Sequence, residues 1–408
     1  MPLKVSKKTK SLKTKNNFKN KKILKSKKLK YSKLNKKTSL KKQKLNKSLK
    51  NKKNLKNKVL KVRKLKPEIL IYKPKDLIKK QEQNPILEPI LENDWECWQT
   101  FNPGVILLDN KIHFIYRAIG KDGISRFGYA NSLDGLVINE RLPYPVYEHK
   151  LKQSKFNYYS FLSGGSFGGA EDPRLVRVEN EDKIYMTYTA CDNGLRVALT
   201  SISIDDFLNQ NWNWAKPQLI SSPYETHKNW LIFPEKINGQ YAILHSLSPE
   251  ILIHYRDNLN FNDDEYIESY YNCDFKKNNF WDYWVRGAGA PPLKTKLGWL
   301  VFYHAMAKGE FNKYKVGAMI LDYKNPEKII LKSPYPIIEP EEVYENNGFK
   351  PGVVYVTGAV IKDENIFIYY GSADSYVSVA YGNLNEFLNY LQKDGKTILN
   401  LKKVKIKK

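Results

Sequence analysis

Acidic residues are missing from the first sixty-seven positions of this 408-residue chain; Glu68 is the first. Residues 1–66 hold 28 Lys and one Arg. Removing those 29 positive charges from the total of 69 leaves 40 basic against 42 acidic residues, so the net charge of +27 belongs to an appendage. Like-charge repulsion and low apolar content predict a disordered basic tail over 1–66. Its leucines step around a helix without forming an apolar stripe. Such a tail suits a tether to nucleic acid or an anionic surface, or a purely solubilising extension. Cysteine is scarce too. Cys97, Cys191 and Cys273 lie far apart, without metal-type spacing, which excludes a disulfide framework and fits a reducing compartment. The six histidines are scattered and no His-x-x-x-His pair occurs, so no metal site is expected. No apolar run is long enough to cross a bilayer. The tail also lacks the apolar core of a secretory signal. The expected location is therefore intracellular and cytoplasmic, with a nuclear or particle-associated position open through the tail.

Residues 67–408 are dense in Tyr, Trp, Val and Ile, with turn residues at short intervals, and read as all-β. One phrase recurs: a polar turn, then an apolar strand, then a polar group. Asp109-Asn110-Lys111 leads through Ile112–Tyr116 to Arg117, and Asp182-Lys183 through Ile184–Tyr188 to Thr189. Asn238-Gly239 leads to His245, Leu297-Gly298 to His304, and Glu364-Asn365 to Gly371–Asp374. A second strand follows each phrase. Five such units predict a five-bladed β-propeller. Its equivalent strand ends would gather Arg117, Thr189, His245, His304 and Asp374 at one mouth, a setting for a polar, anionic or sugar ligand.

The segment Gly168-Gly169-Ala170-Glu171-Asp172-Pro173-Arg174-Leu175 places two carboxylates beside a proline. Proline restricts Asp172 to extended backbone and suits the first residue of a strand. The segment is either a polar turn with Arg174 as an ion-pair partner, or a carboxyl group presented for chemistry.

Ten landmarks stand in order from about Pro85 to Phe387. Among them are Phe101-Asn102-Pro103-Gly104, Tyr116-Arg117-Ala118, Ser125-Arg126-Phe127-Gly128-Tyr129-Ala130 and Glu171-Asp172-Pro173-Arg174. Phe233-Pro234-Glu235-Lys236, Gly289-Ala290-Pro291-Pro292 and Tyr369-Tyr370-Gly371-Ser372-Ala373-Asp374 follow. In these the chain resembles glycoside hydrolase family 130, the inverting β-mannoside phosphorylases and related mannosidases, whose fold is a five-bladed propeller.

That resemblance implies Asp172 as catalytic acid, its proton passing through a sugar hydroxyl. It implies that Asn102, Arg117 and Asp374 hold the mannosyl unit. Arg126 and Lys236 would bind phosphate, with Tyr303 or His304 completing the group. The partners implied are a β-mannoside oligosaccharide and inorganic phosphate as co-substrate, with no other cofactor. Bond cleavage needs a proton on the leaving oxygen, which a protonated Asp172 could supply if Glu171 raises its pKa. A phosphorylase needs cations to hold phosphate. A hydrolase needs a second carboxylate to activate water, for which Glu225 and Glu235 are the candidates. The chain departs from the family pattern at Ser246, where the phosphorylases usually carry Arg, and at His227-Lys228-Asn229-Trp230. Phosphorolysis, hydrolysis, and sugar binding without catalysis all stay open.

Overall fold

The first two strands after the tail region show how local chemistry sets the pattern. β1 is Lys79–Lys80 and β2 is Gln99–Leu108, and β2 turns into β3 (Lys111–Ile119) through Asp109-Asn110. Both turn residues have positive φ, 46° and 61°. This two-residue hairpin matches the right-handed twist of the strands, and Asp and Asn tolerate the conformation. A second hairpin, Asp363-Glu364, repeats the geometry with φ 48° and 64°. The Lys362 ammonium donates to Asn110 Oδ1 at 2.6 Å, joining the two turns.

The structure is a computed structural model that describes residues 77–150, 156–191, 194–269 and 280–405, with side chains described as far as residue 394. The expected basic tail, its boundary at 66/67 and Cys273 lie outside the described residues.

Among the described residues the chain is mostly β and runs through five antiparallel meanders in sequence order, the first two joined into one eight-stranded sheet by a short parallel pairing of Ile124 and Ser125 with Gly168 and Gly169. The first holds β2, β3 and β4 (Ile124–Ser132), with β5 (Glu140–Arg141) at its edge. Helix α1 (Tyr158–Gly164) follows. The second holds β6 (Gly168–Arg177), β7 (Lys183–Cys191) and β8 (Arg196–Ser203). Then come α2 (Ile204–Leu208) and the edge strand β9 (Gln218–Leu219). The third holds β10 (Leu231–Ile232), β11 (Tyr241–Ser246) and β12 (Leu252–Arg256). The fourth holds β13 (Trp284–Ala288), β14 (Leu293–Thr295), β15 (Gly298–Met306), β16 (Lys315–Leu321) and β17 (Ile329–Lys332). After α3 (Val343–Asn346), the fifth holds β18 (Val354–Lys362), β19 (Asn365–Ser372) and β20 (Tyr376–Asn383), and α4 (Leu384–Lys405) follows. β1 adds to β20, so the earliest described strand completes the last meander.

The recurring sequence phrase is the central strand of each meander. Arg117, Thr189, His245 and His304 lie near the ends of β3, β7, β11 and β15, and Asp374 lies two residues past β19. The strict alternation of a half-buried strand is not what these strands show. Every residue of β15 is buried, because both faces of its sheet are covered.

Five apolar clusters fill the spaces between meanders. One holds Ile115, Phe127 and Met186, from the first and second. Another joins Val197 to Ile243, from the second and third. Leu244 packs with Val301, from the third and fourth, and Phe302 with Ile368, from the fourth and fifth. The last cluster packs Phe114 with Tyr369 and Val379, joining the fifth meander to the first.

Candidate active site

Two bulges build the site. In β2 the register shifts between Phe101 and Gly104, and in β6 between Glu171 and Arg174. Each bulge leaves an X-Pro pair out of the ladder, Asn102-Pro103 and Asp172-Pro173. Proline has no N–H to donate, so a position without a ladder bond suits it. The sequence reading placed Asp172 in extended backbone at a strand entrance; both parts are corrected. Asp172 has φ 54° and Asn102 has φ 45°, in the middle of their strands. Left-handed backbone turns the side chains out of the strand alternation at about 1–3 kcal/mol per residue. Gly104 lets the two bulges meet: a Cβ there would stand 2.7 Å from the Pro173 carbonyl oxygen. Ala373 and Asp374, φ 50° and 49°, add a third such turn.

These turns open on a cavity of about 570 Å³, within the range of ligand sites. Asn102, Asp172 and Asp374 line it, together with Lys228, Arg286, Lys350 and Tyr355. Asp172 Oδ1 accepts from Asn102 Nδ2 at 2.8 Å and from Arg117 Nη1 at 3.1 Å. Lys228 Nζ stands 3.4 Å from Asp172 Oδ2 and donates to Glu171 at 3.0 Å. Glu171, fully buried, also accepts from Arg117 Nη2 at 2.9 Å, Ser160 at 3.0 Å and Ser163 at 2.5 Å.

This geometry reverses the expected charge state of the acid. Burial pushes the Asp172 carboxyl up, but Lys228, Arg117 and Arg174 together hold it well below the usual carboxylate range. The Glu171 carboxyl is likewise held down, burial being outweighed by Arg117 and Lys228. Without ligand both carboxyls are ionised at neutral pH. The expectation of a protonated Asp172 counted its acidic neighbour and missed the cations that folding gathers around the pair.

Arg117 does not line the cavity. Fully buried, it bridges both carboxylates from behind and lies 4.6 Å over the Phe101 ring. His304 is also behind the wall, its ring stacked 3.9 Å from that of Tyr355 and its Nε2 2.9 Å from the Val356 carbonyl. Burial pushes its pKa down to about 3. Asp374 does line the cavity, paired with Lys350 at 3.1 Å.

The expected phosphate group is not brought together. Arg126 pairs with Asp122 and Glu148 at 2.6 and 2.7 Å, and Lys236 lies over the Tyr241 ring at 4.2 Å. Tyr303 is buried and donates to Asp282 at 3.3 Å. None of the three lines the cavity. The candidate bases also stand elsewhere. Glu225 bonds Ser222 and His227 at 2.8 and 2.7 Å, and Glu235 pairs with Lys294 at 2.5 Å.

The residues that sequence reasoning missed are Lys228, Arg286, Lys350 and Tyr355. A signal existed for one of them: His227-Lys228-Asn229-Trp230 stood out as a departure, and it carries a cavity-lining cation 3.4 Å from Asp172. Asn229, with φ 66°, accepts from Arg174 at 2.9 Å and from Tyr355 at 2.6 Å, and so fixes that wall. Arg286 is held over the Trp284 ring at 4.2 Å and donates to the Tyr314 hydroxyl at 2.9 Å.

The profile of the family described as beta-1,4-mannooligosaccharide phosphorylase matches residues 77–393. The chain belongs to glycoside hydrolase family 130. It is 35% identical over 316 residues to a 1,2-beta-oligomannan phosphorylase of a Thermoanaerobacter species, covering 74% of this chain and 96% of that protein. A beta-1,2-mannobiose phosphorylase from the same source is 33% identical, covering 72% and 94%. Among solved structures, the beta-1,2-mannobiose phosphorylase of Listeria innocua in complex with beta-1,2-mannobiose has a TM-score of 0.59 at 23% identity, covering 77% of this chain and 99% of that one. The family 130 landmarks and the cavity coincide at the Asp172 bulge.

Proposed function

We propose that this chain is an inverting phosphorylase of β-mannosides that releases mannose 1-phosphate. The observation that carries the proposal is the cavity wall, where Lys228, Arg286 and Lys350 face two lining carboxylates, Asp172 and Asp374. A phosphate dianion needs such a wall and needs no general base. Two relatives of 33–35% identity carry phosphorylase names with β-1,2 linkages, which supports that linkage here.

In the proposed mechanism Asn102 and Asp374 orient the mannosyl unit, while Arg117 fixes Asp172 from behind. Phosphate settles against Lys228 and Arg286. Its charge offsets the field that keeps Asp172 ionised, so the carboxyl takes up a proton only once phosphate is bound. A phosphate oxygen forms the new bond to C1 as the glycosidic C–O bond breaks on the opposite face. The proton of Asp172 ends on the departing sugar oxygen, directly or through a sugar hydroxyl. Incubation with β-1,2- and β-1,4-mannobiose, with and without phosphate, followed by ³¹P NMR, tests this. α-Mannose 1-phosphate is the expected product; free mannose formed at the same rate without phosphate refutes it.

We also propose that the five meanders close into a five-bladed propeller. Its support is the cyclic order of the apolar clusters, the last joining the fifth meander to the first. Small-angle scattering that fits an open arc better than a ring would overturn this. The +29 charge of residues 1–66 supports a further proposal, a disordered tail apart from the catalytic body 67–408 that binds polyanions. Full-length protein should bind DNA or anionic vesicles at low salt and release them as salt rises; salt-independent binding, or none, rules it out.

A further inference from the structure

Glu171 is fully buried and does not line the cavity, yet donors converge on both of its oxygens. Arg117 and Ser160 donate to Oε1 at 2.9 and 3.0 Å. Ser163 and Lys228 donate to Oε2 at 2.5 and 3.0 Å. Helix α1 supplies the two serines by reversing the usual order of a surface helix, which buries apolar residues and exposes polar ones. Ser160 is buried and Ser163 half-buried, while Tyr158, Tyr159 and Leu162 are 60%, 58% and 52% exposed. The Asn157 side chain accepts from the amides of Tyr159 and Ser160, and Gly165 closes the helix at φ 92°. The aromatic face thus points outward so that the hydroxyls can hold the carboxylate. Neither cation belongs to Glu171 alone. Arg117 reaches Asp172 through Nη1 at 3.1 Å while Nη2 holds Glu171, and the Lys228 ammonium lies 3.4 Å from Asp172.

We propose that Glu171 is a positioning residue acting through these shared cations: it draws their charge away from Asp172 and so sets the pH up to which the acid keeps its proton once phosphate is bound. The inference rests on the phosphorylase reading and deepens it. Without the charge of Glu171, Arg117 and Lys228 would both turn on Asp172 alone, and each favours its ionised form. Asp172 is already held below the usual carboxylate range when no ligand is present. A still more positive surrounding would keep it ionised with phosphate in place. Phosphate itself would meet a more positive wall and bind no worse. The charge of Glu171 thus separates two quantities, proton supply and phosphate binding, that damage to the fold would impair together. The other groups facing the pair do not take over its role. Arg174, on the same strand, adds positive charge and donates to the Asp172 carbonyl at 2.8 Å. Cys191 of β7 stands beside Glu171, and burial keeps its thiol protonated. His304 of β15 is neutral, its pKa pushed down to about 3. Asp374 lies in the field of Arg117 but is paired with Lys350.

The experiment compares two variants of the full chain. Glu171→Gln keeps the shape and removes the charge; Glu171→Asp keeps the charge and shortens the side chain. Phosphorolysis of β-1,2-mannobiose is followed from pH 5 to 9 at saturating phosphate. Wild-type kcat should fall on the basic side as Asp172 gives up its proton in the complex. In Glu171→Gln that limb should move down by about one pH unit or more, with kcat at pH 8 reduced roughly tenfold and KM for phosphate no higher than wild type. Glu171→Asp should keep the limb within about 0.3 units of wild type. Lys228→Met should move the limb up, and adding Glu171→Gln to it should bring the limb back down. That pair of variants carries the test if Glu171→Gln alone does not fold. A limb that Glu171→Gln leaves in place overturns the proposal, alone or on the Lys228→Met background. Equal shifts in the Gln and Asp variants overturn it as well, assigning Glu171 to shape alone. Absence of mannose 1-phosphate from the wild type would instead defeat the phosphorylase reading itself.

Discussion

Replacing Lys228 by Met removes the cavity-lining cation that pairs with both Glu171 and Asp172 and tests the electrostatic reading directly. The ammonium lies 3.0 Å from Glu171 and 3.4 Å from Asp172, on a nearly buried side chain. At an effective dielectric of about 20, unit charges 3.4 Å apart attract by about 5 kcal/mol. Desolvation of the ammonium offsets part of that, and losing one partner of a buried ion pair costs about 3–5 kcal/mol. The sign follows from the depressed pKa values of both carboxyls. Their stabilisation is present above the unfolded carboxylate range near pH 4 and fades as pH falls toward the folded values. Without Lys228 both carboxyls rise, so the deficit should be largest at pH 6–8 and shrink below about pH 5. Urea unfolding followed by tryptophan fluorescence between pH 4 and 8 measures it. A deficit under about 1 kcal/mol at pH 7, or one equal at pH 7 and pH 4, refutes the reasoning.

Asp172→Asn should lower kcat by about 10²–10⁴ while keeping the fold, read by ³¹P NMR and a thermal melt. Arg117→Lys keeps the charge but cannot bridge both carboxylates in one plane, and a destabilisation of roughly 2–4 kcal/mol in urea is expected. Gly104→Ala drives a Cβ to 2.7 Å from the Pro173 carbonyl, so it should cost about 1–3 kcal/mol and lower kcat by moving the acid. Arg126→Ala, at a residue that does not line the cavity and is paired with Asp122 and Glu148, should leave KM for phosphate within about twofold of wild type; a tenfold rise would return Arg126 to the site.

Much of the fold was legible because it repeats. Turn chemistry such as Asp109-Asn110 and the apolar runs behind it are local, and they recur five times, so the central strands could be counted in the chain. Asp172, Asn102 and Asp374 were legible through the family motifs that carry them, whereas the mid-strand bulges at Asn102-Pro103 and Asp172-Pro173 were not. Arg126, Lys236 and Tyr303 were misplaced because a basic or phenolic residue in a motif does not reveal the direction of its side chain. Arg126 finds Asp122 four residues away and is satisfied there. Lys228 and Arg286 come from different meanders, fifty-eight positions apart, and nothing local in either segment announces the other.

The sequence by itself determined a mostly β body, its five-fold phrase and membership of glycoside hydrolase family 130. These depend on spacing along the chain, which folding does not alter. Only the tertiary structure decided the charge state of Asp172, the cations that share its cavity and the outward aromatic face of α1. Each depends on groups from separate meanders brought within a few ångströms and shielded from water. Coulomb interactions there outweigh the desolvation that burial alone would impose, and no reading along the chain contains those distances.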